Sequence, residues 1–174
     1  MAQPQKFITL DNGRHKLRDI ESVSETTGAS DGSKLIKTDT NGKIHLSLLP
    51  IGVGADNLVV IAYEDLIAGN FVNLFSDEGV TSVRKADASV SGKEANGFTL
   101  TAVSTGANAT IYFEGSNNQM SGLTIGSRCY LSAVSAGAVV TTPPAASGNV
   151  VQYLGVAVNA TTIAFEATDG VILE

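Results

Sequence analysis

LTIGSRCYLSAVSAGAVVTTPPAASGNVVQYLGVAVNATTIAFEATDGVILE, residues 123–174, decides the fold. It holds five short apolar runs: 129–134 before Ser135-Ala136-Gly137, 138–142 before Pro143-Pro144, 150–158 before Asn159-Ala160, 161–166 before Asp169-Gly170, and 171–173. Runs of this length, rich in Val, Ile, Thr and Tyr and punctuated by Gly, Pro and Asn, predict antiparallel strands. Strict alternation through 150–158 puts Val150, Gln152, Leu154, Val156 and Val158 on one face, and Val151, Tyr153, Gly155 and Ala157 on the other. Both sets are mostly apolar, so this strand is expected to be covered on both sides, by a second sheet or by another subunit. Ile163 and Phe165 alternate with Thr162, Ala164 and Glu166, which leaves that strand one wetter face. The Asn159-Ala160 pair between them suits a tight hairpin, because Asn tolerates a positive φ.

Upstream, strand patterns continue at 58–63, 71–75, 80–86, 98–103 and 109–114, with a turn at 76–79 and a Gly/Ser/Asn loop at 115–122. Residues 64–68 allow at most one helical turn before Gly69. Short strands at regular spacing predict an all-β domain over residues 51–174, an antiparallel sandwich or barrel-like fold.

Residues 1–50 read differently. Phe7, Ile8 and Leu10 form one small apolar cluster before the turn signal Asp11-Asn12-Gly13, and Arg14, His15, Lys16, Leu17 and Arg18 make a local basic patch. Residues 21–33 (ESVSETTGASDGS) have the composition of a linker. Residues 34–37 and 42–46 flank a polar turn and suit a small hairpin, and Leu46, Leu48, Leu49 and Pro50 close the region. With so few apolar residues, this segment is expected to be an extended arm, ordered by lying on something else.

Composition narrows the function. The 174 residues are 43% hydrophobic and 16% charged, against about 25% charged in ordinary soluble domains, so part of the apolar surface is expected to face a partner. No run of ~18 apolar residues predicts a membrane span, and no charged-then-apolar leader reads as a signal peptide. The net charge of −6 argues against nucleic acid, whose phosphates need clustered Lys and Arg. Residues 1–50 hold seven basic and six acidic side chains, residues 51–174 four and eleven, and no basic residue follows Arg128. Two parts with different surroundings account for that split.

Reactive chemistry is hard to find. The single cysteine, Cys129, excludes an intrachain disulfide and a cysteine-based zinc site, and its place in a strand pattern predicts a buried, inert thiol. His15 and His45 stand thirty residues apart with no partner at ligand spacing, so no metal or cofactor is expected. No serine sits in a nucleophile elbow. Gly52-Val53-Gly54 lacks the third glycine of a dinucleotide loop. Asp77-Glu78 suits a solvated hairpin tip better than a glycosidase pair, and Glu64, Asp65 and Asp87 lack the spacing of a Ca²⁺ loop. No enzyme is expected.

Residues 34–50, KLIKTDTNGKIHLSLLP, resemble the joint of bacteriophage virion proteins that links a virion-attaching N-terminus to a β-rich module, in head decoration proteins and tail fibres alike. Lys34, Lys37, Asp39, Gly42, Lys43, Ile44, Ser47, Leu48, Leu49 and Pro50 carry that pattern. Residues 83–98 (VRKADASVSGKEANGF) and 135–167 resemble a β-module of head decoration (cement) proteins of tailed phages. The likeness rests on Lys85-Ala86-Asp87, Asn96-Gly97-Phe98, Pro143-Pro144, Gly148 and Gln152-Tyr153-Leu154-Gly155. The resemblance implies a structural protein of the virion, held on the outer capsid surface by the major capsid protein as a homo-oligomer, most often a trimer. Phe7, Ile8, Leu10, Arg14, Lys16, Leu17 and Arg18 are then the candidate capsid contacts. Leu46, Leu48, Leu49, Val151 and Tyr153 are the candidate joint and oligomer contacts. The alternative is a tail- or head-fibre protein reading a host glycan through loops such as 116–121.

Overall fold

The computed structural model describes residues 6–11, 13–49 and 56–174. The chain is all-β and divides into two compact units, residues 1–54 and 55–174. In the first, β1 (Lys6–Asp11) and β2 (Lys16–Val23) pair as an antiparallel hairpin, and β3 (Leu35–Ile36) adds to β2 in parallel. The N-terminal segment therefore has extended backbone, but its strands pair with each other. Residues 21–23 complete β2, and the rest of the stretch read as a linker is a turn organised by Asp31. That carboxylate accepts the Thr27 N–H (2.8 Å) and the Lys34 ammonium (2.8 Å).

The small hairpin expected between 34–37 and 42–46 does not form. Asp39 accepts the N–H groups of Asn41 (2.8 Å) and Lys43 (2.9 Å), which closes the turn on itself and leaves Leu35 and Ile36 to pair with Ser22 and Val23. Among the described residues of this unit, no apolar side chain is buried.

The second unit begins with a closed five-stranded barrel of β4 (Asn57–Ala62), β5 (Phe71–Asp77), β6 (Val80–Lys85), β7 (Gly97–Phe98) and β8 (Asn108–Tyr112), in the order β4-β6-β5-β7-β8. All pairs are antiparallel except β4 with β6. Asp77 pairs with Val80, so Glu78 and Gly79 make a two-residue turn, both with positive φ (49° and 88°) as a primed hairpin turn requires. The run at 98–103 leaves the ladder after Phe98. Thr99 is buried, and its hydroxyl donates to the Thr101 carbonyl (3.1 Å), folding the chain away despite its alternating pattern.

Val60, Ala62, Leu66, Val72, Val83, Ala109 and Ile111 form one core, to which the barrel strands contribute all but Leu66. A five-stranded sheet packs on the barrel's outer wall. It consists of β9 (Gly115–Asn117), β10 (Arg128–Leu131), β11 (Val139–Val140), β13 (Tyr153–Asn159) and β14 (Thr162–Phe165), in the order β11-β10-β13-β14-β9, while β12 (Val150–Val151) pairs separately with β15 (Val171–Ile172). Between wall and sheet lies the second core, in which the Phe165 ring sits 5.5 Å from Phe71 and 5.4 Å from Phe98. Cys129 is buried there, and burial pushes its thiol pKa up.

The run 150–158 corrects the strict alternation. Gln152 breaks it into β12 and β13, because its buried amide bonds the Ala95 N–H (2.7 Å) and the Ala95 and Thr168 carbonyls (2.9 Å each). Cys129 then pairs with Gly155 but Tyr130 with Tyr153, so Leu154 is an extra residue in β13, a bulge. The bulge reverses which parity faces inward: Leu154, Gly155 and Ala157 are buried, Tyr153 and Val156 only half-buried. Both faces of the sequence looked apolar because the strand changes face partway along. In the following hairpin the loop residues are Ala160 and Thr161, and Asn159 acts through its side chain, accepting the Thr161 N–H (2.8 Å), rather than through a positive φ.

Gly155 lies at the bulge with φ 133°, and a Cβ there would stand 1.9 Å from the Ala164 carbonyl oxygen. Gly155→Ala is expected to destabilise the second unit by about 2 kcal/mol or more, since overpacking and backbone strain add; chemical denaturation of the two proteins measures it. Asp31 gives a second expectation. The Lys34 ammonium, then the Thr27 N–H, holds its carboxyl well below the usual carboxylate range. A depressed folded pKa contributes stability that is present above the unfolded value of about 3.9 and is lost as pH falls through the folded one. The turn should therefore keep its Thr27 amide resonance at about pH 5 and lose it only in strong acid, a dependence that Asp31→Asn abolishes.

Candidate functional site

Three exposed surfaces carry the residues that suit recognition. The first is the tip of the β1–β2 hairpin, where Asp11 and Lys16 form the last pair of the ladder. Gly13, Arg14, His15 and Lys16 are exposed, and His15 adopts a positive φ of 52°. Ile8 is 70% and Leu17 71% exposed, with Leu17 the strand partner of Leu10. As neighbours in one strand, Lys16 and Leu17 point to opposite faces. The hairpin thus presents Arg14 and Lys16 at its tip, with Leu17 on the face opposite Lys16. The side chains of Phe7, Leu10, Arg18 and Leu46 lie outside the described part, as does Pro50.

Leu48 and Leu49 are half-buried and line a cavity of about 380 Å³ with Val23, Ile36 and the Asp31 turn, where Ser47 Oγ accepts the Thr26 N–H (2.9 Å). His45 Nδ1 shares a hydrogen bond with that same hydroxyl (2.9 Å).

The second surface is the outer face of the five-stranded sheet. Tyr130 and Tyr153 are register partners there, with rings edge to face at 5.9 Å. Arg128 pairs with Val156, and Val156 with Ala164. Val151 does not share this face: it belongs to the separate pair β12–β15, opposite the exposed Val171.

The third surface, on the outside of β4, was not singled out by sequence. Val59, Ile61 and Tyr63 alternate with the buried Val60 and Ala62 and are 56%, 38% and 54% exposed. Tyr63 meets Phe75 edge-on at 5.2 Å, and the Arg84 guanidinium lies 4.5 Å over the Phe75 ring, held by Asn73 Oδ1 (2.9 Å) and the Gly92 carbonyl (3.0 Å). The alternation of residues 58–63 was the available signal, but it reads equally well as a half-buried strand with nothing bound.

The carboxylates do not converge on a reacting centre. Asp65 accepts from the Thr105 N–H and hydroxyl, which lower its pKa, while Glu64 accepts the Lys85 N–H and Asp87 that of Ser89. Asp77 and Glu78 sit at the β5–β6 turn. A groove of about 740 Å³ is lined by Glu94, Asn96, Gln152 and Asp169, among others, and there Gln152 and Asn96 are engaged with backbone groups. Among the described residues, no three His, Cys, Asp or Glu side chains lie close enough to hold a metal ion. Part of the 116–121 loop is structural: β9 covers Ser116 and Asn117, and Asn117, fully buried, donates to the Gly69 carbonyl (2.9 Å).

No family model matches the chain, and no curated protein matches it. A solved structure similar to it is the N base of head fiber gp8.5 in bacteriophage phi29, at 12% identity and a TM-score of 0.46, over 70% of this chain and 99% of that one.

Proposed function

We propose that this chain is a structural protein of a tailed-phage virion that binds the outer capsid surface as a decoration or cement protein and stabilises the shell. One observation carries most of this reading. The N-terminal unit buries no apolar side chain among its described residues, yet exposes Ile8 and Leu17 near the basic hairpin tip, Leu35 and Ile36 at the other end of β2, and Ile44. A sheet with no buried apolar side chain among its described residues gains stability against another surface, and the resemblance of residues 83–98 and 135–167 to the β-module of head decoration proteins, more than that of the joint at 34–50, supports the capsid as that surface. Leu17 and Ile8 supply apolar contact with the major capsid protein, while Arg14, Lys16 and Arg18 steer the hairpin to acidic groups on it. The β-rich unit, acting as a homo-oligomer, expected to be a trimer, links several such hairpins. Each then raises the effective concentration of the next, so tight attachment needs no strong single contact. The protein works by binding, without turnover.

A second reading has its own observation. Tyr63, 54% exposed beside Phe75 and Arg84, offers an aromatic ring to a sugar face, as a fibre protein reading a host glycan requires. Side-by-side binding to purified capsids and to host cells separates the two, and Tyr63→Ala should matter only to the second.

Reversing Arg14, Lys16 and Arg18 to Glu in the full chain should weaken capsid binding and flatten its salt dependence, because exposed charge contacts are screened beyond ~10 Å at 0.1 M salt. Unchanged occupancy on capsids would sink the hairpin's role. A ligand of the mature lattice stabilises it by about 2.7 kcal/mol per site at a hundred times its Kd. Undecorated particles are therefore expected to release their DNA at a lower temperature than re-decorated ones. Equal release temperatures at full occupancy reject cementing.

A further inference from the structure

Two cavities of the second unit adjoin through Phe113 and Ala167, which line both, and so form one elongated groove. The first, of about 740 Å³, carries Glu94 and Asp169; the second, of about 660 Å³, carries Glu114 and Glu166. Every described lining residue belongs to the second unit. The apolar part of the lining is anchored in both cores: Leu74 and Phe113 pack half-buried against the barrel core, and Phe165 belongs to the other. Among the described residues, no Lys, Arg or His lines either cavity, and none of the four carboxylates has an ion-pair partner. Gly170 helps to gather them. A Cβ on it would stand 2.5 Å from Val150 Cγ1 and 2.9 Å from Glu94 Cγ, so its bare backbone lets the segment that carries Asp169 close on Glu94. A cleft lined by one sign of charge over low-dielectric walls focuses its field and draws the opposite charge in.

We propose that this groove docks an extended, cationic segment of the major capsid protein, in which apolar residues alternate with Lys or Arg. Such docking rests on the capsid reading above and gives the second unit a contact of its own. Alternate side chains of an extended segment point opposite ways, so its apolar set can lie on the lining around Leu74 and Phe113. The long stems of Lys and Arg run along apolar surface while their charged heads reach the carboxylates. A bare metal ion is a poorer occupant, because among the described residues no three carboxylates converge closely enough to hold one. Charge also acts before contact: residues 51–174 carry four basic and eleven acidic side chains, a balance that steers a cationic segment inward and suppresses acidic partners. The basic hairpin tip of the first unit seeks the opposite sign. Two contacts of opposite polarity fix which way the protein lies on the shell, as one contact alone does not.

Titration calorimetry of the full chain with the peptide Lys-Val-Lys-Val-Lys-Val, without capsids, tests the groove; occupancy on purified capsids tests the source of its occupant. The variants are Asp169→Lys in the first cavity, Glu166→Lys in the second, and Glu25→Lys as a control of equal charge change outside both. Circular dichroism checks that each is folded. The peptide should bind the unaltered chain and the control alike. Asp169→Lys and Glu166→Lys should each raise its Kd at least about tenfold and lower occupancy on capsids. No peptide binding, or an equal loss in the control, overturns the groove and leaves attachment through the hairpin standing. A variant with Arg14→Gln, Lys16→Gln and Arg18→Gln that binds the peptide about tenfold tighter also overturns it, because the chain's own cations are then the occupant. Peptide binding that follows the groove variants while capsid occupancy does not overturns the capsid segment as occupant. A chain that takes the peptide but never binds capsids overturns the capsid reading and this occupant together.

Discussion

Phe71 and Val72 are neighbours in β5, and neither exposes any surface. Adjacent strand residues point to opposite faces, so β5 must be covered twice: Val72 fills the barrel, and Phe71 reaches outward into the aromatic cluster with Phe98 and Phe165. A barrel with such a wall cannot stand alone in water, because burying a Phe side chain is worth about 1.5–3 kcal/mol. The second sheet is the consequence. Phe165 enters from β14 to close the cluster, Gln152 ties the start of that sheet to Ala95 beside the barrel, and Asn117 fastens β9 to Gly69.

The division of labour between the two units follows from composition. The second unit concentrates the buried apolar residues and eleven of the seventeen acidic side chains; the first holds seven of the eleven basic ones and buries nothing apolar among its described residues. The first unit is held by short polar devices instead, the carboxylates of Asp31 and Asp39 closing its turns. A unit built in this way leaves Ile8, Leu17, Leu35, Ile36 and Ile44 exposed.

Legibility in the sequence tracks how local the cause is. A turn within 76–79, the strand around Ile163 and the burial of Cys129 were readable because a few consecutive residues determine them, although the turn narrows to Glu78-Gly79 because Ser76 and Asp77 stay paired in β5. The Leu154 bulge was not, since the extra residue is recognisable only when Cys129 and Tyr130 are paired with their partners. The lost strand after Phe98 depends on a Thr99 hydroxyl turning to its own backbone. Leu35 and Ile36 chose β2 over the predicted hairpin because Asp39 had already closed the intervening turn. Of the candidate site residues, Tyr153 reached an open face, whereas Val151, two positions away, was diverted to another sheet by the buried amide of Gln152. The Tyr63 surface escaped notice because alternation reports which side is wet, not what binds it.

Closure of the barrel has a consequence for crowding. A strand with unpaired backbone groups is a template for any identical chain nearby, and the hazard grows with local concentration. Here every barrel strand is paired on both sides, and the five-stranded sheet ends in strands of only two and three residues, β11 and β9. Many copies of the second unit can therefore be held at high density with little risk of strand exchange or fibril growth through its barrel and main sheet, whereas the first unit keeps the six-residue β1 as an edge strand.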